Sequence, residues 1–371
     1  MAKLQTKPIR SAASRLGAVD LGRRTILTGG AMLLAAGVAP SARSRSVQPA
    51  LNWELLPTEP FAGKQDDIAF TALDRGWYGN GLGRLYRTDD GGDRWTKIWE
   101  HPGTFIRALG FLDSDVGILG NVGMGVFPNV TDSTPLYRTG DGGHTWNAVH
   151  DIDGPTPQGI CAIEVQAAAS TIHAAGRVGG PAHYLRSRDQ GLSWSSRDLT
   201  AQTAAIFDVK FQGPDTGFLA GSSHTDLSQA RGLILRTDDG GETWREVFRS
   251  ARPMETVWKL HFPSAQVGYG TLQNYDTSRM ERHFVSSDDG GFTWQERPLI
   301  SDASWQSFGV GFLTDRVGWI GGRRFGLQTQ DGGHSWEPAG FGPAVNKLRF
   351  VCEDTVTNVF AIGQNIHRLI V

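Results

Sequence analysis

An all-β chain of short strands is the fold class this sequence predicts, on three observations. First, six copies of Ser/Thr-x-Asp-x-Gly-x-x-Trp end at Trp95, Trp146, Trp194, Trp244, Trp294 and Trp336, with Asp90, Asp141, Asp189, Asp239, Asp289 and Asp331 in third position. The tryptophans lie 51, 48, 50, 50 and 42 residues apart, a period in the range of one four-stranded propeller blade. Second, an aromatic residue followed five residues later by Gly and a short apolar run precedes the boxes. It occurs at Phe70/Gly76, Phe111/Gly117, Phe211/Gly217, Phe262/Gly268 and Phe312/Gly318, with weaker copies at 165–171 and 350–356, which raises the number of units to seven. Third, no long stretch after residue 50 shows apolar residues at helical spacing, while Gly, Trp and Phe are plentiful, the pattern of strands joined by turns. The expected architecture is a seven-bladed β-propeller with Asp-box repeats.

In chain order, the first element is an export segment. Lys3, Lys7, Arg10, Arg15, Arg23 and Arg24 precede an apolar run from Ala31 to Ala39, then small residues, Arg43 and Arg45. This is the layout of a cleavable export signal. Arg23-Arg24 followed by Thr25, Ile26 and Leu27 resembles a twin-arginine signal, against the alternatives of a disordered basic tail or a signal anchor. Residues 1–45 are therefore assigned to signal and linker, and residues 46–371 to one propeller in the periplasm, or in the thylakoid lumen of a photosynthetic host. Next comes Trp53-Glu54-Leu55-Leu56, which has the pattern of the strand that follows each box. Because residues 344–371 supply only three strands, residues 51–57 are expected to complete the last blade and close the ring, which removes two exposed sheet edges. In the first full repeat the strands are read as about 66–71, 76–80, 84–88 and 95–99, so each box is the turn between the third and fourth strands.

Composition narrows the function. Residues 46–371 carry 28 basic and 37 acidic side chains, a net of −9, which argues against nucleic acid as the main partner. Cys161 and Cys352 fall in the third and seventh units and are expected to be two buried thiols rather than a disulfide. The box residues suit turn chemistry: a hydroxyl and a carboxylate to accept loop N–H groups, Gly for special backbone angles, Trp to cover apolar surface. They lack the alternating ligands and terminal Glu of a calcium loop, and the ten histidines show no zinc spacing. No metal, cofactor or catalytic residue is assigned. A glycosidase needs two carboxylates across a cleft, and Asp66, Asp67, Asp208 and Glu255 near the inner strands are the candidates, against a plainer reading as solvated charges at the channel rim. Gly79 to Gly83 reads as a hairpin rather than a phosphate loop.

Binding is sought in two places. Long loops at 121–135, 150–159, 222–232 and 273–283 all fall on the face opposite the boxes, where Phe127, Tyr275, Arg279 and Arg282 are candidate partner contacts. A recurring arginine before the box, Arg87, Arg138, Arg186 and Arg236 with Arg368 in the last unit, either binds a carboxylate or peptide or pairs with nearby Asp within and between blades.

The run Trp53-Glu-Leu-Leu-Pro-Thr58, then Asp67-Ile-Ala-Phe70, Gly76-Trp77, Thr88-Asp-Asp-Gly-Gly92 and Trp95, resembles the opening of the photosystem II stability and assembly factor family. The chain departs from that family in Phe105-Ile-Arg-Ala-Leu-Gly-Phe111 and in its long loops. The resemblance, carried through the repeats over the mature chain, implies an exported, non-enzymatic seven-bladed propeller that binds a protein partner, a subunit of a membrane complex, through an arginine patch, to which Arg87 and its equivalents correspond in broad position. A monomer without a membrane span in the mature chain is expected, and related proteins also occur in bacteria without photosystem II. The rival expectation is a glycan-binding or glycoside-hydrolase-like propeller.

Overall fold

The computed structural model describes residues 51–371, so the expected export segment lies outside the described residues. The described chain is all-β apart from one 3-10 turn, Ala167–Ala169. Its strands form seven sheets, six of four antiparallel strands and one of five whose extra strand is parallel. In the first, Gln65–Phe70, Gly76–Asn80, Arg84–Thr88 and Thr96–Glu100 follow one another as neighbours, within a residue or so of the sequence reading. The last contains Lys347–Glu353, Val356–Ile362 and Ile366–Ile370, and its fourth strand is Glu54–Leu55, with Glu54 opposite Arg368 and Leu55 opposite His367. The Leu56 amide extends the pairing by donating to Ile366 O at 2.9 Å. The inner strand of each sheet lies against that of the next, and Lys347–Glu353 lies against Gln65–Phe70.

The aromatic-to-glycine pattern now has a physical cause. Gly76, Gly117, Gly217 and Gly318 each lie under the aromatic ring six residues before them, and a Cβ there would come within 2.5 Å of the ring of Phe70, Phe111, Phe211 or Phe312. The ring's other face stacks on a side chain of the preceding sheet: Phe111 on Trp77 at 3.7 Å, Phe211 on His173 at 3.6 Å, Phe312 on Tyr269 at 3.6 Å, and Phe70 on Phe360 at 4.0 Å. Aromatic contact thus staples most neighbouring sheets, while the seam between the second and third, where Val165 stands in place of the aromatic, is packed by aliphatic side chains such as Ile118 and Ile163. Trp53 joins this system edge-on to Trp319 of the sixth sheet, 5.4 Å between centroids, as Trp294 meets Phe218 of the fourth.

Two details differ from the sequence reading. The stretch 150–159 is not only a loop: Ile152–Asp153 pairs in parallel with Trp194–Asp198 as the fifth strand of the third sheet. The cysteines are unpaired, but only Cys161 is buried; Cys352 is exposed because its strand end extends past the covered part of the sheet.

Candidate functional site

The six boxes share one bonding scheme. In the first, the Thr88 hydroxyl accepts the Gly92 amide at 2.8 Å and donates to Asp90 Oδ1, which accepts the Arg94 amide at 2.8 Å. The same bonds recur from Thr139, Ser187, Thr237, Ser287 and Thr329. Hydrogen bonding with Thr145, Thr243 and Thr293 outweighs partial desolvation and holds the carboxyls of Asp141, Asp239 and Asp289 down to about 2. Gly91 and Gly92 sit at φ of 73° and 101°, where a side chain would be strained. Asp141, Asp189, Asp239, Asp289 and Asp331 have both carboxylate oxygens committed inside the turn, and Asp90 has Oδ1, so these aspartates have structural work to do.

The arginines before the boxes reach from one sheet to the next. Arg138 Nε donates to Gln190 O at 2.9 Å, Arg186 and Arg236 donate to Gly240 O and Gly290 O, and Arg368 Nη1 donates to Gly91 O at 2.9 Å. Arg87 lies over Trp77 and bonds Asp89, while the Trp77 indole N–H takes the corresponding carbonyl, Gly142 O, at 2.8 Å. Arg297, from the fourth strand of its sheet, does the same at Gly332 O. Every box therefore accepts one strap from the preceding sheet, including the first box from the last sheet.

The remaining sequence candidates sit at the opposite end and do not converge with those arginines. Arg279 is exposed and bonds Asp276. Arg282 is buried, its guanidinium donating to Trp305 O, Ala303 O and Asp276 O, which makes it a loop fastener. Tyr275 is half-buried and donates to Gln273 Oε1 at 2.6 Å. Phe127 is exposed at a loop tip and stacks on Phe105 at 4.7 Å.

The four carboxylates considered for glycosidase chemistry are not solvated rim charges; all are at most 3 % exposed. The reason is that each is held by a cation. Asp66 pairs with Arg107 of the second sheet, and Asp67 pairs with Lys347 and Arg349 of the last sheet and accepts the Leu109 amide at 2.8 Å. Asp208 pairs with Lys259 of the next sheet at 3.3 Å and accepts the Leu260 amide at 3.0 Å, and Glu255 pairs with Arg252. Burial opposes ionisation of Asp67, yet Lys347 and Arg349 bring its carboxyl to about 2. Burial in turn lowers Lys259 to about 8, with Asp208 holding it up. Asp67 and Asp208, held below the usual carboxylate range by their cations against the push of burial, are not poised as general acids, whereas burial of Glu255 outweighs Arg252 and raises its carboxyl.

Sequence reasoning missed the cations of this layer. A signal was present: Asp67, Asp208, Lys259 and Lys347 all stand three residues before the aromatic of their repeat, at Phe70, Phe211, Phe262 and Phe350. Above the layer, on the box side, the channel widens into a pocket of about 660 Å³. Its charged lining comprises Lys210, Lys259, Lys347 and Arg349 with Glu164 and Asp208. Lys210 bonds Glu164 at 2.6 Å. His261 also lines it, its ring stacked on Phe350 at 4.9 Å and its Nδ1 accepting the Phe312 amide; burial pushes it down to about 3, so it is neutral.

No family model matches the chain. A curated relative, the photosystem II assembly lipoprotein Ycf48 of Synechococcus sp. (strain CC9902), is 26% identical over 268 residues, covering 62% of this chain and 76% of the relative. Among solved structures, YCF48 bound to D1 peptide superposes with a TM-score of 0.59 at 16% identity, covering 87% of this chain and 98% of that one. YCF48 from Cyanidioschyzon merolae gives 0.63 at 15%, covering 86% and 98%. A GH74 xyloglucanase from Xanthomonas campestris gives 0.53 at 13%, covering 81% and 51%, a likeness of propeller fold alone. The chain thus resembles a photosystem II assembly lipoprotein in sequence and the YCF48 structures in fold.

Proposed function

We propose that this chain is a non-enzymatic binding scaffold, a seven-bladed propeller closed by its N-terminal strand, that holds a protein partner during assembly of a membrane or exported complex. The observation that carries the reading is the state of the four candidate carboxylates, each neutralised by a buried or half-buried cation. Three of the pairs cross between sheets, so they stiffen the ring and leave no free acid and base facing one another. What the ring offers instead is a stable surface with a central pocket, and its relatives are assembly factors, one of them bound to a D1 peptide. The partner is accordingly a peptide segment of a membrane-complex subunit exposed where an exported protein can meet it. Residues 1–45 would deliver the propeller, residues 46–371, to the periplasm or an equivalent lumen.

Affinity purification of the tagged chain from a detergent extract of its own cells tests this. A membrane-protein subunit recovered in stoichiometric amount supports the scaffold. Binding on a glycan array, or hydrolysis of a glycan, with no such subunit recovered would replace it with the glycan-active alternative.

A further inference from the structure

The face opposite the boxes is divided by charge. On the sector built by the first three sheets, the loops 81–83, 102–105, 122–131, 154–161 and 178–182 contain no Asp, Glu, Lys or Arg. On the sector of the fourth to sixth sheets, the corresponding loops carry Asp226, Arg231, Asp276, Arg279, Asp302 and Arg324. In a chain with 20% charged residues, so many loops without a charge set one side of the face apart. The sector is also continuous. A Cβ on Gly81 would come within 2.6 Å of the Phe105 ring, and Phe105 stacks on Phe127 at 4.7 Å. Phe105, Val126 and Val178 pack on a small core of Val122, Val130 and Cys161, which joins the second sheet to the third. Beneath it Arg177 is buried and donates to Gly180 O, Met124 O and Gln158 Oε1. The tips stand clear of that core: Met124 is 50% exposed, Phe127 40% and Leu82 38%.

We propose that this sector docks an uncharged, apolar segment of a protein partner, with Leu82, Met124 and Phe127 as its contacts. A charged segment would lose hydration here and meet no counter-charge. The composition is that of an interface core, poor in charge and rich in aromatic residues and Met, and Arg84, Asp132 and Asp153 at its border supply a polar rim. An anionic bilayer would need Lys or Arg beside the apolar tips, and the exposed arginines Arg279 and Arg324 lie on the other sector. The tips are held in place before any partner arrives: the Leu82 amide donates to Asn80 Oδ1 at 3.0 Å and the Val130 amide to Phe127 O at 3.2 Å, which lowers the ordering cost of docking. Gly125 and Gly179 have open space where a Cβ would stand, so a partner backbone can come close. The inference rests on the scaffold reading and locates the apolar contact of its partner.

A fluorescence screen of the full chain against an array of random amidated dodecapeptides tests it. Bound peptides are expected to be depleted in Asp, Glu, Lys and Arg relative to the array and enriched in Leu, Ile, Val and Phe. Met124→Ser combined with Phe127→Ser should weaken the tightest of them about tenfold or more, the scale of one apolar side chain returned to water. Leu82→Ser, in the hairpin of the first sheet, serves as a second variant, and Arg324→Gln on the charged sector should change nothing; melting temperatures are recorded for all. Charged peptides among the tightest, no bound peptide, or unchanged affinity in the folded variants would overturn the proposal. So would binding of the parent but not the double variant to vesicles of phosphatidylcholine and phosphatidylglycerol, which would make a bilayer the occupant, or a parent dimer that the double variant turns monomeric, which would make it a second copy. A membrane subunit that still co-purifies with the double variant would remove this inference and leave the scaffold standing. Peptide binding with no subunit recovered would keep the surface and remove the membrane-complex reading.

Discussion

Phe70 lies flat on Phe360, 4.0 Å between ring centroids and 13° between planes, and so joins the first inner strand to the second strand of the last sheet. The contact spans most of the chain in sequence and holds its two ends in one core with Leu56, Ile68 and Tyr78. Because Phe360 is fully buried, Phe360→Ala should destabilise by about 3–5 kcal/mol. A double-mutant cycle with Phe70→Ala should recover a coupling of about 0.5–1.5 kcal/mol, read from urea denaturation midpoints. Zero coupling would mean that the stack contributes area alone.

The short strand Glu54–Leu55 works on the same seam. It brings Leu56 into the core, sets Trp53 against Trp319, and pairs Glu54 with Arg368, which also straps Gly91. Deleting residues 51–57 should lower the melting temperature by on the order of 5 °C or more and expose the edge of Ile366–Ile370. Calorimetry of the truncated and full chains measures this; equal melting temperatures would show that the last sheet is complete without its fourth strand.

The succession of all-β sheets was legible because each unit repeats its own grammar. The boxes marked the turns, the aromatic-to-glycine spacing marked the inner strands, and Trp53 marked the missing strand. The candidate site was less legible, since salt bridges between sheets join residues from 41 to 282 positions apart, such as Asp66 with Arg107 and Asp67 with Arg349. Asp67 reads as a solvated charge until its neighbours are known, and Arg138 reads as a ligand contact until Gln190 O is found 2.9 Å away. Sequence shows which side chains share a height in the ring; only the folded ring shows which neighbour each one meets.

The box aspartates predict a pH dependence. Asp141, Asp239 and Asp289 titrate near 2 when folded and near 3.9 when unfolded. A depressed folded value contributes stability that is present above the unfolded value and is lost as pH falls through the folded one. Urea midpoints should therefore hold steady above about pH 5 and decline from about pH 4 to 2. Asp239→Asn should start lower at neutral pH and decline less steeply. A parallel decline in variant and parent would show that the loss arises elsewhere.

Asp67 bears the heaviest charge burden in the channel. It is fully buried, faces Lys347 and Arg349 from the last sheet and accepts the Leu109 amide from the second, so one carboxylate ties three sheets. Asp67→Asn keeps an acceptor for Leu109 but leaves two cations without a counter-charge, which should cost about 3–5 kcal/mol. Removing one of those cations as well, in Asp67→Asn with Lys347→Met, should recover part of the loss, because the buried ammonium is the costliest group left alone. Denaturation of the parent, the single variants and the pair measures this. A double variant less stable than Asp67→Asn would mean that Lys347 is held mainly by its bond to Arg107 O, and that the ring depends on this lysine independently of the carboxylate.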